Sequence, residues 1–301
     1  MSSKTPNPQA RRSMRARAGK SILVLSLFVL ASCSYLVRTT TGGPPVVVPP
    51  IGHGPGGGQF IVQCNEPVRS AAFDPIVYPG RDTAGHNHEF YGNRTINPDS
   101  TFGSLEGSST ACDENADTAG YWHPTVYSNG VRHVAPKSTF YYDSPISGPV
   151  HSYPSGLQMV AGDSKATSPQ DTHVVYWGCG SGSGQSSLDS PPKCSGGDLT
   201  IHVIFPNCWD GRNLDTDDQG HVAYGRDGCP SSHPVAIPRL TMRIQYNDWN
   251  PDPGSLSLSS GSIHSMHADF FQAWEPRKLS KAVDLCINAG KDCTADEVIG
   301  L

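Results

Sequence analysis

Leu240-Thr241-Met242-Arg243-Ile244-Gln245-Tyr246 alternates apolar and polar side chains without a break. Leu199, Ile201, Val203 and Phe205 do the same around Thr200 and His202. Successive side chains on a strand point to opposite faces, so a period of two marks strands with one face in a core. Ser138 to Tyr142 and Thr172 to Trp177 predict two further strands. One segment has a different period. Leu279, Ala282, Val283, Cys286 and Ile287 recur at helical spacing, and Gly290 offers a C-terminal stop. Thr294-Ala295-Asp296-Glu297 reads as a capping box for a short terminal turn. The chain holds 32 Gly and 26 Pro and is only 16% charged, a composition that favours loop-rich β structure over helices. The expected fold is mainly β: a single sandwich or jelly-roll-like domain with long loops and one C-terminal helix.

Upstream of these strands the sequence is an address. Lys4, Arg11, Arg12, Arg15, Arg17 and Lys20 precede an apolar run from Ile22 to Ala31, and no acid intervenes. The run is roughly ten residues, against roughly twenty for a membrane-spanning helix, so it reads as an export signal. It ends Leu30-Ala31-Ser32-Cys33, which resembles the bacterial lipoprotein cleavage box and implies acyl chains on Cys33. Residues 1–32 are then the signal peptide. Residues 33–59 form a lipidated Pro/Gly-rich tether with Pro44, Pro45, Pro49, Pro50 and Pro55, too poor in apolar surface to fold. Residues 60–301 are the working domain. It meets the membrane only through the lipid and is expected to be a monomer.

Cysteine and charge agree with that address. Nine cysteines less Cys33 leave an even set: Cys64, Cys112, Cys179, Cys194, Cys208, Cys229, Cys286 and Cys293. Outside the cytoplasm an even set reads as disulfides. Cys286 with Cys293 and Cys64 with Cys112 are the natural pairs, while the other four pair among themselves in an order the sequence leaves open. No Cys-x-x-Cys pair supports a zinc site. The whole chain has 22 basic and 27 acidic residues. Loss of the six basic ones in the signal leaves 16 against 27, a net charge of −11. Such a surface repels nucleic-acid phosphates, and no nucleic-acid partner is expected.

Several phrases form a recognisable set: His86-Asn87-His88-Glu89-Phe90-Tyr91-Gly92, Tyr121-Trp122-His123-Pro124, Phe205-Pro206-Asn207-Cys208-Trp209-Asp210-Gly211, Asp218-Gln219-Gly220-His221, Cys229-Pro230-Ser231-Ser232-His233-Pro234 and His267-Ala268-Asp269-Phe270-Phe271. In order and spacing they resemble the secreted DUF1996 family, a domain of unknown function, over roughly residues 60–290. The resemblance implies extracellular life in a cell-wall context and brings no established reaction. The chain departs from the pattern at Gln219, where the family often has a histidine.

The same phrases hold the candidate chemistry. In extended backbone His86 and His88 face one side, so the two imidazoles either grip a divalent metal ion or are hydrogen-bonded structural groups. His267 and Asp269 repeat that spacing and suit an oriented base, a ligand pair or a buried salt link. Asp218 and His221 lie in an acidic turn with Asp215 and Asp217 that lacks the calcium-loop spacing. Trp209 and Asp210, with Trp122 and His233, suit sugar contact, since an indole offers a flat apolar face and a polar N–H. Trp177, Trp249 and Trp274 add further flat surfaces.

Two functions follow. One is a polysaccharide hydrolase or lyase with His86, His88, His221, His267 and Asp269 in one cleft, alongside His233, around a divalent ion. The other is a non-catalytic glycan- or metal-binding envelope protein. Convergence of the histidines separates them.

Overall fold

The computed structural model describes residues 57–83, 85–180 and 187–300. The signal, Cys33 and most of the tether lie outside the described residues, as does part of the Gly/Ser-rich loop between Cys179 and Cys194.

Among the described residues there are four sheets, two of them large, and the four segments expected as strands all lie in the larger. The larger has six strands, in the order Asp292–Cys293, Gln59–Asn65, Lys137–Asp143, Arg239–Tyr246, Leu199–Ile204 and Val175–Cys179. Its strands pair antiparallel except for the short terminal one, which runs parallel to Gln59–Asn65. The second sheet has five antiparallel strands, in the order Arg69–Ala71, His88–Gly92, Gly120–Pro124, His267–Phe271 and Gln158–Gly162.

The sheets pack face to face as a β-sandwich. Tyr121 of the smaller sheet packs tilted against Phe140 of the larger, ring centres 3.8 Å apart, and its hydroxyl bonds to that of Tyr142. Phe60 lies flat on Tyr142 at 4.5 Å, with Trp274 edge-on to both. Each such fully buried aromatic side chain contributes about 1.5–3 kcal/mol through the apolar surface it removes from water. The core strands Leu199–Ile204 and Arg239–Tyr246 form where the alternation places them, but their polar faces are buried as well as their apolar ones. The strand expected at Thr172–Trp177 instead runs Val175–Cys179. Asp171 explains the shift: its side chain accepts from the His173 N–H at 2.9 Å and its carbonyl from Val174 at 2.8 Å, which turns the chain before pairing begins.

The helical segment is a helix, Pro276–Ala282, which continues as a π-turn over Val283–Ile287. Glu275 caps it by accepting from Arg277 and Lys278, Pro276 fits the first turn, and Gly290 takes a φ of +67° after its end. Thr294 and Glu297 form the reciprocal capping box of the terminal turn Ala295–Ile299. A short helix, Phe102–Leu105, had no period to reveal it.

All eight cysteines pair: Cys64–Cys112, Cys179–Cys194, Cys208–Cys229 and Cys286–Cys293. The thiolate zinc reading is thereby excluded. The first bridge spans 48 residues and the last 7, so loop-closure entropy assigns them about 4 and about 2.5 kcal/mol. Four bridges belong to an oxidising, extracytoplasmic environment.

The smaller sheet has a second, outer core. On His88–Gly92, Glu89 and Tyr91 face the sandwich while His88 and Phe90 face outward. On the next strands Trp122, His267, Asp269 and Phe271 face outward too. A cap seals that face: Phe73 and Ile76 from the connection after Ala71, with Ile96 and Leu105, pack on Phe90, Trp122 and Phe271. Phe73 lies 4.6 Å from Phe90, and Phe90 5.3 Å from Trp122.

Candidate metal centre

The outward row of the smaller sheet ends in polar groups beneath the cap. The strand Gly120–Pro124 runs between those carrying His88 and His267, with Pro124 opposite His88 and Trp122 opposite Asp269. The period of two that buries Phe90 and Phe271 therefore also buries His88 and Asp269, at 0% exposure each, and His267 at 3%. Half-buried His86 enters from the end of the cap. Its ring lies 4.3 Å from that of His88 and 5.2 Å from that of His267.

Hydrogen bonds fix how two of these rings present their nitrogens. His88 Nδ1 lies 3.0 Å from the Phe73 carbonyl, and His267 Nδ1 2.9 Å from the Ser265 carbonyl. A carbonyl only accepts, so each Nδ1 carries the proton and each Nε2 keeps a bare lone pair. His88 Nε2 is buried and has no partner among the described residues. His267 Nε2 faces His86 Nε2 at 3.3 Å. One ring nitrogen from each of His86, His88 and His267 lies within 4.8 Å of the other two. Imidazoles that donate one N–H to a carbonyl and aim the other nitrogen at a common point are arranged as metal ligands are.

The electrostatics match. Burial holds the His88 imidazole well below its ordinary range, and the neighbouring His86 and His267 push it further. Burial takes His267 down to about 4, against the opposing hydrogen bond to Ser265, and lowers His86 as well. Burial thus favours the neutral form of all three rings, the state a ligand requires.

Two carboxyls adjoin them. Asp74 opens the cap: one oxygen accepts from the N–H groups of Ile76 and Val77, each at 2.9 Å. Burial raises its carboxyl, with those bonds and the nearby Trp122 opposing. Asp269 is pushed well above the usual carboxylate range by burial and then by Asp74, and neither of its oxygens has a hydrogen-bond partner among the described residues. Asp74, His88 and Asp269 form a second group whose ligand atoms lie within 4.8 Å of one another.

A groove of about 580 Å³ runs alongside, between Ile76 and Val77 of the cap and the turn from Asp215 to Gln219, over Val160 and Gly162. Gly162 sits opposite His267 with φ +90°, and a Cβ there would meet the Met266 carbonyl at 2.6 Å, so only glycine fits. Asp163, Asp215, Asp217 and Asp218 give the groove an acidic rim, with Lys165 the opposing charge.

The remaining candidates are placed elsewhere. His221 donates from Nε2 to the Gln158 carbonyl at 2.7 Å and accepts at Nδ1 from Thr216 at 3.1 Å, leaving no free nitrogen. Gln158 pairs with Phe271, at the far end of the strand from the Gly162–His267 pair. His233 bonds to the Gly220 carbonyl at 2.9 Å and belongs to the same turn. His221 and His233 brace the acidic loop, so of the residues expected in one cleft it is His86, His88, His267 and Asp269 that converge. Gln219 has a structural task, accepting from the Val160 N–H at 2.9 Å. Trp122, Trp177 and Trp274 are at most 1% exposed and present no face to a sugar, because each fills a core position. Trp209 is half-buried with its N–H on the Asn213 carbonyl, and Asp210 is occupied by Arg212 and Asn213 of the same turn. Asp74 escaped the sequence reading. Its one signal was an acid before Pro75 at the start of a turn.

The family described as a domain of unknown function (DUF1996) matches residues 74–274, from Asp74 through His86, His88, His267 and Asp269 to the end of the outer core. The chain belongs to this family. No curated protein and no solved structure matches it. The DUF1996 span thus contains every group of the centre, while the helix and the terminal strand lie beyond it.

Proposed function

We propose that this DUF1996 domain is an extracytoplasmic metal-binding domain that acts on cell-wall or extracellular polysaccharide from a lipid anchor at Cys33. The carrying observation is the pair of histidines whose Nδ1 protons are held by Phe73 and Ser265, leaving two Nε2 lone pairs that meet His86. Three neutral imidazoles suit a divalent ion of the zinc, copper or nickel kind. Held by His86, His88 and His267, such an ion would supply Lewis acidity and acidify a water. The chain's own part is to fix the tautomers, exclude bulk water with the cap and admit substrate along the groove. The anchor and tether suit an enzyme and a binding module alike, and the groove beside the centre is what supports the polysaccharide reading.

A second reading, a non-catalytic metal-binding envelope protein, draws on the burial of His88, His267 and Asp269, with His86 the most exposed of the three clustered histidines. Zinc uptake by the metal-free protein is the test. Stoichiometric uptake by the wild type, lost in a His86→Ala/His88→Ala double variant, is expected. No uptake by a folded wild type sinks both readings. Polysaccharide turnover by the zinc-loaded protein but not by the double variant then selects the enzyme, and uptake without turnover selects the second reading.

A further inference from the structure

The groove beside the centre is built from the same elements as the centre. Its floor belongs to the strand Gln158–Gly162, where Val160 lies across from Asp269 and Gly162 across from His267. Gly162 puts no side chain between the groove and His267, and behind Val160 stands Asp269, wholly buried with neither oxygen hydrogen-bonded. One wall is Ile76 and Val77 of the cap, whose N–H groups hold Asp74. A molecule in the groove therefore lies along the seam where cap and sheet assemble the centre. The volume of about 580 Å³ falls in the ordinary range of ligand sites, about 300–1,000 Å³.

Charge selects what enters. Asp163, Asp215, Asp217 and Asp218 line the groove against Lys165 alone, and all four acids are exposed. Among the described residues none of the four forms an ion pair, whereas exposed Asp171 and Glu297 have Arg226 at 2.9 Å and Lys291 at 2.7 Å. Nor does any of the four belong to a group of three ligand atoms within 4.8 Å of one another. These carboxylates are spread along the groove rather than gathered about a point. A single cation needs ligands gathered round it. A polymer with a positive charge on successive units meets the spread arrangement. Val77, 48% exposed, adds apolar surface suited to the C–H face of a sugar ring.

We infer that the groove takes a polysaccharide bearing free amino groups, an N-deacetylated hexosamine polymer, with its ammonium groups on Asp215, Asp217 and Asp218. The inference rests on the polysaccharide reading and names its substrate class. The same field repels glycans that carry uronates or phosphates. An N-acetylated polymer has the same ring and linkage but no charge for these carboxylates to meet.

The test compares hexamers of glucosamine, of N-acetylglucosamine and of galacturonic acid. Binding to the intact protein, metal-free and zinc-loaded, is measured by calorimetry in low salt, at a mildly acidic pH that keeps the amines charged. The glucosamine hexamer is expected to bind roughly tenfold tighter than its N-acetyl counterpart, the sum of three exposed ion pairs of ordinary strength, with galacturonate weakest. An Asp215→Asn/Asp217→Asn/Asp218→Asn variant should lose that preference. A Glu66→Gln/Asp189→Asn/Asp284→Asn variant, which removes the same charge from outside the groove, should keep it, and circular dichroism checks both folds. Wild-type crystals soaked in the glucosamine hexamer should show it in the groove, a reading that needs no variant. No preference for the amine, or no binding of any hexamer, overturns the inference. So does a preference kept in the folded groove variant, or a hexamer seated elsewhere. Amine preference in a protein that takes up no zinc keeps the groove and removes the metal centre. Zinc uptake with turnover only of the N-acetylated or anionic glycan keeps the enzyme and overturns its amine substrate.

Discussion

His88 and Glu89 are neighbours in sequence and opposites in structure. Both are wholly buried on one strand, but they face opposite sides of it. On the inner side Glu89 is held by Arg132 at 2.8 and 2.6 Å and by Thr125 at 2.8 Å. On the outer side His88 keeps one ring nitrogen without a partner, and Asp269 two oxygens. The inner side leaves His123 Nε2 unbonded beside Glu89, whereas on the outer side the unbonded atoms of His88 and Asp269 lie within one ligand group. Most buried polar atoms in folded proteins are hydrogen-bonded, so unbonded ligand atoms gathered at one place report a ligand.

Breaking the satisfied side should do the most damage. Arg132→Ala leaves Glu89 buried and without its ion pair, at a cost of about 3 kcal/mol, the low end of the usual range because Arg132 is partly exposed. Asp269→Asn in the metal-free protein should cost less than about 1 kcal/mol, since Asp269 has no bond to lose. Chemical denaturation of the two variants measures the difference. Equal costs would erase the contrast between the faces.

Ligand addition sharpens the same contrast from the other side. Zinc at about a hundredfold its Kd should stabilise the wild type by about 2.7 kcal/mol, a rise in Tm of roughly 5–10 °C for a domain of this size. Thermal unfolding with and without zinc should show no rise in His88→Ala. A rise of the same size in that variant would place the ion elsewhere.

The smallest effect concerns another histidine with unbonded ring nitrogens, His202 on the larger sheet. It stacks on Tyr176 at 4.2 Å, and neither ring nitrogen has a partner among the described residues. Unlike His88 it belongs to no ligand group and has Arg243 beside it. Burial and then Arg243 lower its pKa to about 3. The unfolded chain takes up a proton as pH falls through about 6.5 and the folded chain does not, so stability is lost between about pH 6.5 and 3. His202→Phe keeps the stack and removes that loss. Relative to wild type it should gain about 2 kcal/mol on going from pH 8 to pH 5. A parallel pH dependence of the two proteins would show that His202 is protonated in the fold.

Much of this was legible in the sequence because the information is local. Alternation from Leu240 to Tyr246 marks a strand wherever the strand ends up. The spacing of Leu279 to Ile287 marks a helix, and an even cysteine set in an exported chain marks bridges. His267 and Asp269 share a side because extended backbone repeats every two residues, a fact of covalent geometry. His86 lies in a bend ahead of the strand that begins at His88, so its meeting with that ring is tertiary. Tertiary structure alone decided which phrases meet. His88 and His267 are joined through Pro124 and Trp122 of an intervening strand, and no periodicity encodes that pairing across so much chain. The same packing sent His221 and His233 to another turn and buried Trp122. It also brought in Asp74, and it placed the Phe73 and Ser265 carbonyls that set the tautomers, since backbone atoms leave no mark in a residue's identity. The sequence determined which side chains point the same way, because that depends on neighbours along the chain. The fold decided which of them lack a partner, because that depends on everything packed around them.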